Sequence, residues 1–465
     1  MIPFDNSYAR LPAQMFTRQT ATPVRDPAFI VTNAPLAATL GIDPAWLTSD
    51  AALAGLSGNS VIAGSDPLAA AYAGHQFGNW NPGLGDGRAV LLGEVVGTDG
   101  IRRDIQLKGA GRTPYSRSGD GRAALGPVLR EYLVSEAMYA LGVPTTRALA
   151  AVTTGDTVLR EEGPLAGAII TRIAQSHIRV GTFQLMAARG DTAALSALFE
   201  QVLERHYPDA DSPAALLKAV TKRQAELVAK WMSLGFIHGV MNTDNVSIAG
   251  ETIDYGPCAF MDVYHPETVF SAIDQHGRYA YQNQPRIAVW NMAQFATSLI
   301  PLMPDQDKAI EEFTSIINAL PTYYDAEWLR VFAAKIGIAD PVEDDRALIE
   351  DLLRIMQDGG SDFTVAFAYL NDKDAKDHFT DQAAFATWQA AWRARNPDAA
   401  LMAQVNPQII PRNHQVEAAI KAGQDGDFAP FHRLLAAVTT PYVADAEFSA
   451  APTLDQTVRR TFCGT

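Results

Sequence analysis

Apolar and polar positions change period several times along the chain, and each change marks an expected element. Residues 89–96 form a nearly continuous apolar run and 103–107 a second β-like run, with Asp99-Gly100 between them. That pattern predicts two strands joined by a tight turn. Two more β-like runs lie at 148–153 and 168–172. Residues 125–141 carry apolar side chains at helical spacing and stop at Gly142 and Pro144, which predicts a helix. Residues 193–235 read as helices. Ser212-Pro213 supplies a cap and first position, and Val220, Leu227, Trp231 and Leu234 make an apolar stripe expected to face the core. Short β-like runs at 246–248 and 252–253 flank Ala249-Gly250-Glu251, the pattern of a small hairpin. Beyond it the chain reads as helical, most clearly at 290–302, 306–317 and 345–356. Residues 1–65 mix Pro, small residues and short apolar pieces, so an irregular arm with one or two short helices is expected, for example at 34–40. The class implied is α+β.

Composition narrows the function classes. With 465 residues, 48% hydrophobic and 19% charged, the chain can bury a large core and is not disordered. A net charge of −15 argues against nucleic acid as a partner, which calls for a basic surface. No apolar run approaches the roughly 18 residues that span a bilayer, so no membrane partner is expected. The first residues lack a basic stretch followed by an apolar core, so a secretory signal is not expected either. Two cysteines, Cys258 and Cys463, cannot make a disulfide scaffold, and the nine histidines show no metal-ligand spacing. A cytoplasmic enzyme is the expectation.

The candidate chemistry sits in three places. Gly83-Leu84-Gly85-Asp86-Gly87-Arg88 precedes the first strand, and the second strand ends at Lys108. Glycines let a backbone approach phosphate closely, and a strand Lys can then reach the same group. The expected helix at 125–141 holds Glu131 and Glu136 on different faces, and Glu131 is the favoured partner for Lys108. Arg88, Arg112, Arg117, Arg122, Arg172 and Arg179 concentrate planar cations suited to phosphate oxygens in an otherwise acidic chain. The third place is His238–Pro257. If its two β-like runs pair, Asp244, Asn245 and Asp254 converge on one point, a hard-oxygen set suited to Mg²⁺ shared with phosphates. His238 reads as a buried hydrogen-bonding residue and not as a base.

This order of parts resembles protein kinases, with Asp254-Tyr255-Gly256 where those enzymes have Asp-Phe-Gly and Asn245 at the second metal ligand. The place of the kinase base, two residues after the His, is Val240, which cannot accept a proton. The nearby carboxylate is Asp244.

The ordered motifs resemble the selenoprotein O family, the YdiU-type protein adenylyltransferases. They are Phe4-Asp5-Asn6-Ser7-Tyr8, Tyr72-Ala73-Gly74-His75-Gln76-Phe77-Gly78, Gly83 to Arg88, Gln106-Leu107-Lys108-Gly109, Arg130-Glu131-Tyr132-Leu133, His238 to Pro257, Gly277 to Pro285 and Arg412-Asn413. The resemblance implies a protein-kinase-like two-lobed fold. Its parts would be an N-terminal arm at 1–65, a small lobe with a glycine-rich loop at 66–180, a large lobe with catalytic loop and metal site at 181–345, and a helical extension at 346–465. It further implies transfer of AMP from ATP to Ser, Thr or Tyr hydroxyls of proteins, with the nucleotide reversed relative to kinases and Mg²⁺ or Mn²⁺ as cofactor. By motif match Asp244 would be the base, and Asn245 and Asp254 the metal ligands. Lys108, Arg172 and Arg179 would hold phosphates, while Gly85, Gly87, Arg88, Asp120 and Gly121 would contact other parts of the nucleotide. The alternatives are a true γ-phosphate kinase and an ATP-binding pseudokinase scaffold. Family members often carry a C-terminal Cys, sometimes bridged to a Cys after the Asp-Tyr-Gly segment. Cys463 fits the first position, residues 269–273 contain no partner, and Cys258 reads as a small buried apolar residue.

Overall fold

A computed structural model describes residues 2–161 and 163–462; Cys463 lies outside them. The strands, in chain order, are β1 (Phe16–Arg18), β2 (Ala28–Thr32), β3 (Leu68–Ala70), β4 (Gly74–Gln76), β5 (Asn79–Asn81), β6 (Ala89–Val96), β7 (Arg102–Lys108), β8 (Ala123–Ala124), β9 (Arg147–Arg160), β10 (Gly163–Ala174), β11 (Phe236–Ile237) and β12 (Ala259–Phe260). Seven run in one antiparallel sheet in the order β1-β3-β6-β7-β10-β9-β2, with β8 added to β10. The apolar run of β6 is buried almost throughout, as befits a central strand covered on both faces. β9 and β10 form one long hairpin, where the sequence pattern marked only its two most apolar pieces.

The helices are α1 (Ala34–Thr39), α2 (Pro44–Leu47), α3 (Asp50–Leu56), α4 (Leu125–Ala140), α5 (Val180–Ala188), α6 (Thr192–His206), α7 (Pro213–Ser233), α8 (Gln284–Leu299), α9 (Gln306–Asn318), α10 (Leu320–Lys335), α11 (Asp345–Gly359), α12 (Phe363–Ala368), α13 (Gln382–Ala394), α14 (Ala399–Val405), α15 (Asn413–Gln424) and α16 (Ala429–Val438). None of the described helices is long and apolar enough to cross a membrane. The chain is thus α+β, with its sheet in the first 174 residues and helices dominating afterwards.

Two expectations need correcting. The N-terminal stretch is not simply irregular: β1 and β2 occupy the two outer positions of the large sheet, and α1 begins where Asn33 caps it by accepting from Leu36 N at 3.1 Å. Each edge strand is short and weakly patterned, so neighbours decide its state. The hairpin at 246–253 is also not a self-paired unit. Val246 accepts from Val180 N at 3.0 Å and Ile248 N donates to Ile178 O at 3.0 Å, while Thr252 N donates to Pro144 O at 2.9 Å and accepts from Thr146 N at 3.0 Å. One arm therefore joins the chain leaving β10 and the other joins the chain entering β9. Because β9 and β10 pair antiparallel, these ends lie side by side, with Ile173 opposite Arg147. The loop is stitched across the open end of that hairpin.

Helix α7 secures the same loop from below. Ser212 Oγ accepts from Ala215 N at 3.2 Å and Pro213 opens the helix, as its sequence predicts. Val220, Leu227, Trp231 and Leu234 are buried. From this face Trp231 Nε1 donates to Thr252 Oγ1 at 2.8 Å and Gln224 Nε2 to Ser247 O at 2.9 Å. Helix α4 is buried nearly all round, between the sheet and the C-terminal pair α15 and α16.

The loop holds one buried acid, Glu251, whose Oε2 accepts from Gln175 N at 2.9 Å. Burial pushes its carboxyl up to about 7. Because the folded value lies above that of the unfolded chain, this group favours the fold at low pH, and the contribution is lost as pH rises from about 4.5 to 7. Glu251→Gln should therefore stabilise the protein at pH 8 by up to about 3 kcal/mol and leave it nearly unchanged at pH 4. Urea unfolding of both proteins at the two pH values checks this; equal gains at both would refute it.

Candidate active site

Register on the sheet sets out the cations. Lys108 ends β7 opposite Ile170, and Arg172 stands two places further along β10, opposite Gln106. Residues two apart on a strand share a face, so both cations point to the same side. Lys108 Nζ donates to Glu131 Oε2 at 2.7 Å and to Asp254 Oδ1 at 3.0 Å. Arg172 Nη1 donates to Asp254 Oδ1 at 2.6 Å and to Glu131 Oε1 at 3.3 Å, while Gln106 Oε1 accepts from its Nε and Nη2 at 3.2 and 2.6 Å. Arg179, the residue capping α5, donates from Nη1 to Asp254 Oδ2 at 2.7 Å and to the carbonyl of Asp244 at 2.8 Å. Its guanidinium lies 4.6 Å from the centre of the Tyr72 ring. Glu136, on another face of α4, binds Arg147 at 2.7 Å instead.

Asp254 is thus ringed by three cations. Burial would push its carboxyl up, but Lys108, Arg172 and Arg179 outweigh that and hold it well below the usual range. Arg172 has a side chain only 2% exposed, and Asp254, at 19%, is the member that opens outward. Asp254 also has φ of 63°, a conformation that costs a non-glycine residue energy and that folds retain chiefly at functional sites.

Asp244 belongs to a short 3₁₀ turn, Thr243–Asn245. Its Oδ2 accepts from Gln76 Nε2 at 3.3 Å, and its Oδ1 is buried with no hydrogen-bond partner among the described residues. Burial pushes the carboxyl up to about 6. Gln76 belongs to the β4–β5 hairpin, whose two-residue turn, Phe77-Gly78, has φ of 51° and 85°. Two positive φ values define a type I′ turn, in which glycine is the natural second residue and Phe77 is strained. Gly74 on the same hairpin must lack a side chain, because a Cβ there would lie 2.7 Å from Asp244 Oδ1. Val240 is buried beside this turn, and His238 is a structural hydrogen-bonder whose Nε2 sits 2.9 Å from Ile253 O.

Asn245 Nδ2 donates to Val240 O at 2.9 Å, which fixes the rotation of its amide; it has no hydrogen bond to Asp254. Among the described residues no group of three or more His, Cys, Asp or Glu is placed to cage a metal. Asn245 and Asp254 fit a hard divalent cation only as a sparse pair of oxygen donors, with the other ligands coming from a bound molecule. Both Asp254 oxygens are at present shared with cations.

The remaining expected residues lie around this network rather than in it. Gly85 and Gly87 pack on the 109–122 loop, where a Cβ would meet Tyr115 Cγ at 2.5 Å and Tyr115 O at 2.9 Å respectively. Gly121 packs on Gly111 of that loop, 2.2 Å from its carbonyl carbon by the same measure. Asp120 pairs with Arg160 at 2.9 Å, and the Arg88 side chain makes no ion pair among the described residues. Asp86, Gln106, Tyr72, Gly74 and Gln76 were given no role by sequence reasoning, although all five fall within its motifs. Asp86 is buried, accepts from Ala70 N and Gln106 Nε2 at 3.1 Å each, and lies 4.0 Å from Arg179. Cys258 is buried.

Comparison with known proteins identifies relatives over nearly the whole chain. Residues 1–439 match the family model described as "Protein adenylyltransferase SelO". Proteins named "Protein nucleotidyltransferase YdiU" from Roseobacter denitrificans and Ruegeria pomeroyi are 60% and 57% identical, each covering 100% of this chain and 99% of the relative. One of the same name from Rhizobium etli is 53% identical over 99% of this chain and 97% of its own length.

Arg172→Met should lower the free energy of unfolding by about 3–5 kcal/mol, because Glu131 and Gln106 would keep their desolvation without their partner. Denaturant titration measures it. A loss below about 1 kcal/mol would mean that the cluster is not electrostatically coupled.

Proposed function

The chain belongs to the SelO family of protein adenylyltransferases and is a nucleotidyltransferase; from that premise we propose that it transfers AMP from ATP to Ser, Thr or Tyr hydroxyls of proteins and releases pyrophosphate. The observation that carries the reading is the meeting on Asp254 of three cations, Arg172 and Arg179 buried and Lys108 partly buried. A kinase-like arrangement with its γ-phosphate outward calls for a single Lys at this depth. Lys108, Arg172 and Arg179 together suit the multiply charged end of a triphosphate pointing inward, where lost hydration must be offset. The α-phosphate then faces the acceptor. We take the fold as a kinase-like pair of lobes split along the boundaries expected above, with Gly85, Gly87, Arg88, Asp120 and Gly121 toward the rest of the nucleotide.

In this reading the acceptor oxygen attacks the α-phosphorus, the new O–P bond forms, and the bond to the bridging oxygen breaks. Pyrophosphate leaves into the cation cluster. The acceptor proton passes to Asp244, whose Oδ1 has no partner among the described residues and whose raised affinity for protons suits a base working near neutrality. Val240 leaves the usual kinase base position empty of any acceptor. Asn245 and Asp254 would hold Mg²⁺ or Mn²⁺, which supplies charge neutralisation on the phosphates when bound. The protein's own contribution is position: Arg179 anchors the Asp244 carbonyl while Gln76 orients its carboxylate.

ATP labelled at either phosphate tests the proposal. Label from the α position should become covalently attached to protein acceptors, and label from the γ position should not; transfer of γ label would make the protein a kinase, and transfer of neither a scaffold. Asp254→Ala should abolish transfer. Asp244→Asn should lower kcat by about 10²–10⁴ with ATP affinity nearly unchanged, and a large loss of ATP affinity would instead make Asp244 a binding residue. Gly74→Ala, which crowds Oδ1, should also lower kcat more than it affects ATP binding.

A further inference from the structure

Beside the base lies a cleft of about 530 Å³ between the tip of the β4–β5 hairpin and the segment leading into α8. Its walls include Phe77, Asn79, Asp274, His276, Arg278 and Arg286. The cleft is tied to the Asp244 turn through Asn242, whose Oδ1 accepts both from Phe77 N at 2.9 Å and from the Tyr279 hydroxyl at 2.6 Å. Phe77 directly follows Gln76, the side chain that holds Asp244. A polypeptide presenting a hydroxyl to Asp244 would reach this cleft within about three residues of extended chain.

The charge of the cleft is unlike that of the chain. Its acid, Asp274, is used internally: Oδ1 accepts from Arg278 N at 2.9 Å and Oδ2 from Tyr279 N at 2.8 Å. Arg278 is clamped on the Trp290 ring, 4.8 Å from its centre, yet its Nε and Nη2 are buried without an acceptor among the described residues. Neither Arg278 nor Arg286 forms an ion pair there with any described residue, in a protein of net charge −15. Buried guanidinium donors without acceptors are costly, and a carboxylate satisfies them through a paired fork.

We infer that this cleft is the acceptor-polypeptide groove and that it selects hydroxyls flanked by Asp or Glu, with Arg278 and Arg286 as specificity-determining residues. The inference rests on the adenylyl-transfer reading and names the acceptor class for that site. The other ligand the cleft could serve, the outer part of the nucleotide, is an outcome of the test.

The test uses the full chain, ATP labelled at the α-phosphate and synthetic peptides carrying one Ser, Thr or Tyr between either Glu or Lys neighbours, with unfolded casein as a general protein acceptor. The wild type should label at least one Glu-flanked peptide with kcat/KM at least about tenfold above its Lys-flanked twin. Arg278→Gln should erase that preference through KM. Arg286→Glu, a substitution at an exposed position, should reverse it, and both should leave the KM for ATP within about twofold. Equal labelling of the two peptide classes, a preference that survives both substitutions, or labelling of casein but no peptide would overturn the inference. So would a loss of ATP affinity matching the loss of peptide use, which would assign the cleft to the nucleotide. Absence of α label on any acceptor would overturn the transfer reading itself, a result distinct from all of these.

Discussion

Everything at this site depends on one carboxylate holding three cations together in a place with little water. Lys108, Arg172 and Arg179 come from the end of one strand, near the end of its neighbour and the cap of a helix, and without Asp254 they would repel one another. Glu131 and Gln106 share part of the burden, but among the described residues only Asp254 touches all three. At short separations in a poorly screened interior, like charges cannot be left uncompensated. The carboxylate therefore supplies the counter-charge that lets the three cations stand together.

The cost of placing Asp254 explains much of the surrounding architecture. Its left-handed backbone is unfavourable for a residue with a Cβ, so the flanking chain must be held firmly. That is what the stitching of 246–248 and 252 to the two ends of the β9–β10 hairpin accomplishes, with Trp231 and Gln224 of α7 fastening the loop from its other side. The sheet thus supplies both the cations and the frame that presses the acid against them.

The parts of this arrangement that were legible in the sequence are those fixed by local pattern. Lys108 at the end of a strand and Glu131 on a helix bounded by Gly142 and Pro144 can be read from spacing, and the two meet at 2.7 Å. The pairing partners of residues 246–253 could not be read, since alternation shows that a segment is extended but not what it lies against. The same limit hid β1 and β2, whose three and five residues become strands only because a sheet edge is waiting for them. Gly74 and Gln76 stood in a motif rich in Gly, His and aromatic residues, yet their role depends on a hairpin folding over a turn some 170 residues away in sequence. No periodicity carries that information.

Arg179 makes the site a single unit rather than two neighbouring ones. Through one nitrogen it binds the side chain of Asp254 and the backbone of Asp244, and its register is fixed because the adjoining residues pair with Val246 and Ile248. Any anion that draws this guanidinium away from Asp254 must also act on the turn that carries Asp244. The geometry therefore couples the cation cluster to the Asp244 turn through one side chain. A lysine in its place would keep the charge but not the planar group that lies over the Tyr72 ring while its second terminal nitrogen stands 4.0 Å from Asp86. The placing of the arginines, and not merely the count of positive charges, thus decides how Asp244 and Asp254 are joined.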